Sequence, residues 1–156
     1  MIVAFGCDHG GFSLKQAVIE TIQQLGHEVM DFGIYQLESV DYPDYAEKAG
    51  RALQRKEAHR AVVLCGSGVG VCIAGNKMKG VYACLCHDTY SARQGVEHDN
   101  MNMLCLGARI IGDELAREIV KSYLGATFST EERHRRRVGK TQRLEESFID
   151  PSQLNE

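Results

Sequence analysis

A chain of 156 residues fits one domain and can bury a proper core. With 44% hydrophobic and 25% charged residues its composition is that of an ordinary globular protein. A net charge of −3 argues against a molecule built to attract nucleic acid, and no apolar run reaches the ~18 residues a membrane-spanning helix needs.

The N-terminus, Met1 to Gly6, meets Asp8 and His9 at once and reads as a strand rather than a signal peptide. Six cysteines are present, at positions 7, 65, 72, 84, 86 and 105. Most sit in apolar runs of a chain able to fold without staples, so they read as reduced thiols of a cytoplasmic protein.

In chain order, Ile2–Gly6 is a first strand and Phe12–Leu25 a helix stopped by Gly26. His27–Phe32 reads as a second strand and 33–41 as a loop. Pro43 is well placed near the start of a helix running to about Lys56. A strand over Ala61–Cys65 leads through a glycine turn into a helix over Val71–Lys77. Val81–Leu85 is a fourth strand, and Thr89–Val96 a short helix with Asp88 or Thr89 near its cap. Residues 97–100 read as a polar loop, and Met103–Leu106 as a fifth strand. Ile111–Leu124 and Ser129–Glu146 are the last helices, Thr130 being a candidate cap for the second. The expectation is one domain over 1–149 and a polar tail over 150–156.

Five alternations of strand and helix imply an α/β fold: a doubly wound, Rossmann-like, five-stranded parallel sheet with helices on both faces. Ligands of such sheets bind beyond the carboxyl ends of the strands. The polar loops expected there carry Asp8 and His9, Cys65 and Ser67, His87 and Asp88, and His98 and Asp99.

The central stretch is Ala61-Val62-Val63-Leu64-Cys65-Gly66-Ser67-Gly68-Val69-Gly70. A buried strand ends in a thiol, followed by glycines whose bare N–H groups can approach an anion. Such surroundings are expected to lower the pKa of Cys65 and make it a usable base or nucleophile, while the other cysteines read as packing. His98 is a candidate acid–base group. His27 and His59 read as surface residues.

Several motifs are decoys. A dinucleotide fingerprint would need glycine at position 71 or 73, where Val71 and Ile73 stand. A phosphate loop ending in Gly139-Lys140-Thr141 would need glycine at 134, where His134 stands. Cys84-Leu85-Cys86-His87 lacks a second ligand pair for zinc. No cofactor and no metal are expected. Arg133-His134-Arg135-Arg136-Arg137 is dense in positive charge; as a plain solvated face it needs no ligand. Arg133 and Arg137, four apart on one helix face, could instead clamp a phosphate, with Arg109 as a further donor.

Together these segments resemble the ribose-5-phosphate isomerase type B family: Gly6-Cys7-Asp8-His9, Asp41-Tyr42-Pro43-Asp44-Tyr45-Ala46, Cys65 to Gly70, Ala74 to Lys77, His98, Leu106-Gly107-Ala108-Arg109, and Arg133-His134 with Arg137. The resemblance spans Met1 to Glu146 in order. The wider family includes allose-6-phosphate and galactose-6-phosphate isomerases. It implies an aldose–ketose isomerase, free of metal and nucleotide, acting on ribose 5-phosphate and ribulose 5-phosphate. By resemblance, Cys65 is the base that moves a proton between C1 and C2, and His98 assists ring opening. The amides of Gly66, Ser67, Gly68, Val69 and Gly70 hold the enediolate oxygen, with Ser67 a further candidate for hydroxyl protons. Asp8 and His9 contact the sugar phosphate, and Arg109, Arg133 and Arg137 bind substrate, chiefly its phosphate. The resemblance also implies a homodimer whose basic C-terminal helix reaches the partner's active site. One departure concerns Asp99, where many members carry asparagine; an ionised carboxylate accepts but does not donate hydrogen bonds. A six-carbon substrate and a non-catalytic sugar-phosphate-binding module are the alternatives.

Overall fold

The computed structural model describes residues 1–147; the expected tail over 150–156 and the end of the 1–149 domain lie outside them. The strands are β1 (Ile2–Cys7), β2 (Glu28–Asp31), β3 (Arg60–Cys65), β4 (Ala83–Leu85) and β5 (Met103–Gly107). They form one all-parallel sheet in the order β2-β1-β3-β5-β4. The helices are α1 (Lys15–Gln24), entered through a 3-10 turn at Phe12–Leu14, then α2 (Tyr42–Gln54), α3 (Val69–Gly75), α4 (Thr89–Asp99), α5 (Asp113–Gly125) and α6 (Glu132–Ser147).

Apart from Arg60 at the start of β3, the central strands are apolar because both faces of the sheet are covered. Their two-residue alternation sorts side chains between two cores. Val3, Phe5, Val62, Leu64, Leu104 and Leu106 face α1, α4 and α5, where Val18, Ile22, Val96, Ile119 and Tyr123 meet them. Ala4, Ala61, Val63, Met103 and Cys105 face α2 and α3. That second core is built with small residues, Ala46, Ala49 and Ala52 on α2, so the helix lies close on the sheet. Each fully buried large side chain contributes roughly 1.5–3 kcal/mol of hydrophobic stabilisation.

After β2 at one edge, the chain returns to place β3 on the opposite side of β1. The crevice between β1 and β3 at their carboxyl ends is the topological switch point of the sheet. Gly11 allows the β1 loop to lie against β3 there: a Cβ at Gly11 would sit 2.5 Å from the backbone carbon of Leu64.

Several boundaries differ from those the sequence suggests. β4 starts at Ala83 rather than Val81 because the Asn102 side chain takes the Tyr82 amide at 2.8 Å and donates to the Gly80 carbonyl at 2.8 Å. Asn76 then acts as a surrogate strand beside β4. Its Nδ2 donates to the Ala83 carbonyl at 2.7 Å and to the Cys72 carbonyl at 3.0 Å, and its Oδ1 accepts from the Ala83 amide at 3.1 Å. α3 starts two residues early, at Val69, after Gly68 takes a left-handed conformation with φ of 79°. α6 starts at Glu132; Thr130 does not cap it, and the Ser129 hydroxyl accepts the Glu131 amide instead.

α4 runs three residues past Val96, to Asp99, and stops at Asn100 in the left-handed region with φ of 56°. Residues 97–99, expected in a loop, are therefore the helix's last turn.

Because Asn76 satisfies both backbone groups of Ala83 at the sheet edge, Asn76→Ala should lower stability by about 1–2 kcal/mol. Urea unfolding would show this as a lower midpoint at constant slope; an unchanged midpoint would contradict the role given to Asn76.

Candidate active site

The loop after β1 and the turn after β3 meet at the switch point. They form a cavity of about 360 Å³ lined by Asp8, His9, Gly10, Tyr42, Cys65, Gly66, Ser67, Arg109 and Ile110. Parallel pairing aligns Cys7 with Leu64, which makes Asp8 and Cys65 neighbours across the ladder. Asp8 is 3% exposed, and a buried carboxylate needs hydrogen-bond donors. Its Oδ1 accepts the Gly11 amide at 2.9 Å, and its Oδ2 accepts the Cys65 thiol at 3.1 Å.

This contact reverses one expectation. Burial of the thiol pushes the Cys65 pKa up, and the Asp8 carboxylate, which accepts its hydrogen and repels a thiolate, pushes it further. The amides of Gly66 and Gly68 oppose the shift without overcoming it. The resting site therefore holds a protonated thiol already aimed at a proton acceptor. Among the other cysteines, burial raises Cys7 and Cys86 to about 12 and Cys84 to about 11, as packing residues behave. Cys72 differs: a hydrogen bond with the buried Cys105 thiol lowers it to about 7. Its sulfur meets the Ala83 carbonyl at 3.4 Å, in the seam between α3 and β4, and does not line the cavity.

The turn is fixed by the two residues that follow β5. The Ala108 amide donates to the Cys65 carbonyl at 2.9 Å, and the Arg109 amide to the Gly66 carbonyl at 3.0 Å. The Arg109 guanidinium folds back over Gly66, where a Cβ would lie 3.3 Å from its Cζ. The Ser67 hydroxyl accepts the Val69 amide at 3.3 Å, so it serves the helix start in this state. His9 is oriented from behind: its Nδ1 accepts the Val40 amide at 3.2 Å, which leaves Nε2 to carry the hydrogen.

Asp8, His9, Cys65, Gly66, Ser67 and Arg109 thus converge as expected. His98, Asp99, Arg133 and Arg137 do not join them. The end of α4 lies at the amino edge of the sheet, because it feeds β5 at its start. Asn102, three residues beyond Asp99, bonds through its carbonyl to Ala61 at the start of β3. The expectation that His98 and Asp99 sit at the carboxyl edge is therefore corrected. A loop that follows a helix and precedes a parallel strand lies at the other end of the sheet, about 15 Å away for a five-residue strand.

At that amino edge Asp99 ends α4, and His98 meets the start of α6. His98 stacks on His134 with ring centroids 4.0 Å apart and planes inclined by 23°. His134 is 3% exposed, and burial, then the charges of His98 and Arg133, hold its pKa below the usual value. Arg133 pairs with Glu131 at 2.7 Å, and Arg137 is exposed on the same face of α6. The Ser129 amide ties this segment to the Glu97 carbonyl at 2.9 Å.

The cavity also holds Tyr42, Gly10 and Ile110, which sequence reasoning did not assign to it. For Tyr42 a signal existed: the loop after β2 opens α2 at the carboxyl edge, as the loops after β1 and β3 do. His87 and Asp88 lie at the expected edge but do not line the cavity. Asp88 caps α4, accepting the Ser91 amide at 2.7 Å. No group of three or more metal-binding side chains occurs among the described residues, and no described helix is long and apolar enough to cross a membrane.

Since the Asp8 carboxylate helps to hold the thiol protonated, Asp8→Asn should lower the Cys65 pKa. The pH dependence of iodoacetamide alkylation at Cys65, read by peptide mass, would shift to lower pH; an unchanged or higher apparent pKa would contradict this electrostatic account.

Comparison with known proteins agrees with this architecture. Residues 3–141 match the model of the Ribose/Galactose Isomerase family. Ribose-5-phosphate isomerase B of Escherichia coli is 41% identical over 136 residues, covering 87% of this chain and 91% of that one. A D-erythrulose-4-phosphate isomerase of Pectobacterium atrosepticum is 39% identical, covering 81% of this chain and 84% of its own length. The solved structure of Clostridium thermocellum ribose-5-phosphate isomerase B superposes with a TM-score of 0.91 at 42% identity, covering 95% and 99% of the two chains. Most of the residues lining the cavity come from the loop after β1 and from Cys65 with the turn that follows it, and the family match runs through both segments and into α6 as far as Thr141: the chain belongs to the ribose/galactose isomerase family.

Proposed function

We propose that this protein is an aldose–ketose isomerase that interconverts D-ribose 5-phosphate and D-ribulose 5-phosphate through an enediolate, in the cytoplasm and without a metal or cofactor. The observation that carries the reading is the Cys65 thiol in hydrogen-bond contact with Asp8 beside the Gly66–Gly70 amides. Removal of a proton next to a carbonyl needs a base, an oxyanion site and a means of holding the substrate. The cavity contains candidates for all three.

In this mechanism the Cys65 proton passes to Asp8. The thiolate then takes the C2 proton of the open-chain aldose and returns it to C1, so the base is regenerated. Charge developing on the substrate oxygen is met by amides of the turn and by the Arg109 guanidinium, already in place over Gly66. His9 offers an Nε2–H donor to the sugar phosphate. Ser67 lies within the cavity wall and is available to relay hydroxyl protons.

His98, Asp99, Arg133 and Arg137 enter through a second copy of the chain. Their separation from Cys65 within one chain supports this reading, because one subunit cannot supply both clusters to one substrate. Exposed apolar side chains beside the turn support it too: Val69 and Ile73, four apart on α3, are 46% and 57% exposed. In the dimer, His98 of the partner subunit assists ring opening and Arg133 and Arg137 of the partner subunit hold the phosphate. A phosphate distant from the reacting carbons supplies binding energy for orientation.

The substrate's length is the finer question, since relatives named for four- and five-carbon phosphates share this fold. Steady-state turnover should be measured with erythrulose 4-phosphate, ribose 5-phosphate, allose 6-phosphate and galactose 6-phosphate. The expected result is the highest kcat/KM for ribose 5-phosphate and a loss of at least about a thousandfold in kcat for Cys65→Ala, since no other base replaces the thiol. Preference for another chain length would move the substrate assignment. A Cys65→Ala enzyme with near wild-type kcat would remove the cysteine base, and absence of turnover with every sugar phosphate would leave a binding module.

A further inference from the structure

The end of β5 is held by a residue outside the cavity. On the β4 side of β5, regular pairing stops at Leu85 opposite Cys105, and the last ladder bond runs from the Cys86 amide to the Cys105 carbonyl at 3.3 Å. Alternation makes Gly107 the next β5 residue whose N–H faces β4, where strand backbone has run out. The His87 side chain fills the gap: its Nε2 accepts the Gly107 amide at 2.9 Å. A backbone amide can only donate, so Nε2 is unprotonated, the ring is neutral and its hydrogen sits on Nδ1.

Gly107 is one link from the chemistry. The next two amides, Ala108 and Arg109, bond to the carbonyls of Cys65 and Gly66. Gly107 itself packs so closely on the turn that a Cβ there would lie 2.5 Å from the Ser67 carbonyl oxygen. Where the Gly107 amide sits therefore decides where the thiol-bearing turn and the Arg109 guanidinium sit. We infer that His87 is a positioning residue for the isomerisation: its neutral imidazole replaces the missing strand partner of Gly107 and so aligns Cys65 and Arg109. This rests on the Cys65 cavity being the site of catalysis.

The role carries a pH signature. Protonation would place a hydrogen on Nε2 and remove the acceptor. Burial lowers the His87 pKa from 6.5, and the adjacent Asp88 carboxylate works against that shift. The Arg109 guanidinium on the turn after β5 lies over Gly66, and the Ser67–Gly68 turn carries no titratable side chain. The Gly107 bond is thus intact at neutral pH, and its contribution is lost as pH falls from about 6.5 through the lower folded-state pKa.

The test compares the full-length wild type, His87→Ala and His87→Gln. In Gln, Oε1 reaches about as far as Nε2 and accepts without titrating. With ribose 5-phosphate, His87→Ala should lose about ten- to a hundredfold in kcat with KM within about threefold, the pattern of a misaligned catalytic turn. His87→Gln should recover kcat to within about threefold and keep it at acidic pH, where the wild type declines. Ring-nitrogen NMR of the wild type, which needs no turnover, should find the hydrogen on Nδ1 at neutral pH. The inference is overturned if His87→Ala keeps wild-type kcat, if His87→Gln is as impaired as His87→Ala while folded, or if the hydrogen is found on Nε2. Lack of turnover by the wild type would instead strike the isomerase reading, with NMR still deciding the Gly107 bond.

Discussion

The parallel pairing of β1 with β3 is the constraint on which the site depends. It sets Cys7 beside Leu64 and so brings the next residues, Asp8 and Cys65, into hydrogen-bond contact. The Asp8 amide completes the junction by donating to the Leu64 carbonyl at 3.4 Å. A one-residue slip of this register would turn the alternating Val, Leu and Ala side chains to the wrong cores and separate the carboxylate from the thiol. The cost of burying Asp8 is offset by two donors, one structural (Gly11) and one chemical (Cys65). Fold and reactivity share one side chain there.

A raised thiol pKa is compatible with a base once the acceptor is counted. A freely ionised thiolate would be a weaker base toward carbon, and a thiol without an acceptor would be inert. Burial, then the Asp8 carboxylate, keeps the proton on sulfur at rest, and that carboxylate is the acceptor on which the proposed mechanism calls. At the other end of the molecule, His98 stacks on buried His134, with Arg133 and Arg137 on the exposed side of α6 beside it.

Much of the fold was legible because each element agreed with its local signals. Gly26 ends α1, Pro43 opens α2, and the apolar runs at 61–65 and 103–106 are the central strands. The meeting of Asp8 with Cys65 followed from the rule that ligands gather beyond strand carboxyl ends at a switch point. Strand order was not legible, since an all-apolar strand does not reveal its neighbours.

The misplacement of His98 has two physical sources. Glu97-His98-Asp99-Asn100 is polar and reads as loop, yet Asn100, tolerant of the left-handed conformation, was the true stop of α4. A segment between a helix and the next parallel strand also belongs to the amino edge, whatever chemistry its residues offer. The direction of the Cys65 shift was missed because glycine amides were visible in sequence, whereas the burial of the thiol and the carboxylate 57 residues away were visible only in space. For Arg133 and Arg137 the four-residue spacing left a phosphate clamp and a plain solvated helix face both open, and only the family resemblance favoured the clamp.

The central claim is that each catalytic site takes Cys65 from one chain and the basic cluster from another. Subunit exchange between a Cys65→Ala chain and an Arg137→Ala chain tests it directly, with activity on ribose 5-phosphate as the readout. A two-fold dimer predicts that half the molecules become mixed and each holds one intact site, giving about a quarter of wild-type activity from two nearly inactive parents. Activity no greater than the sum of the parents, with exchange verified by mass, would contradict a shared site.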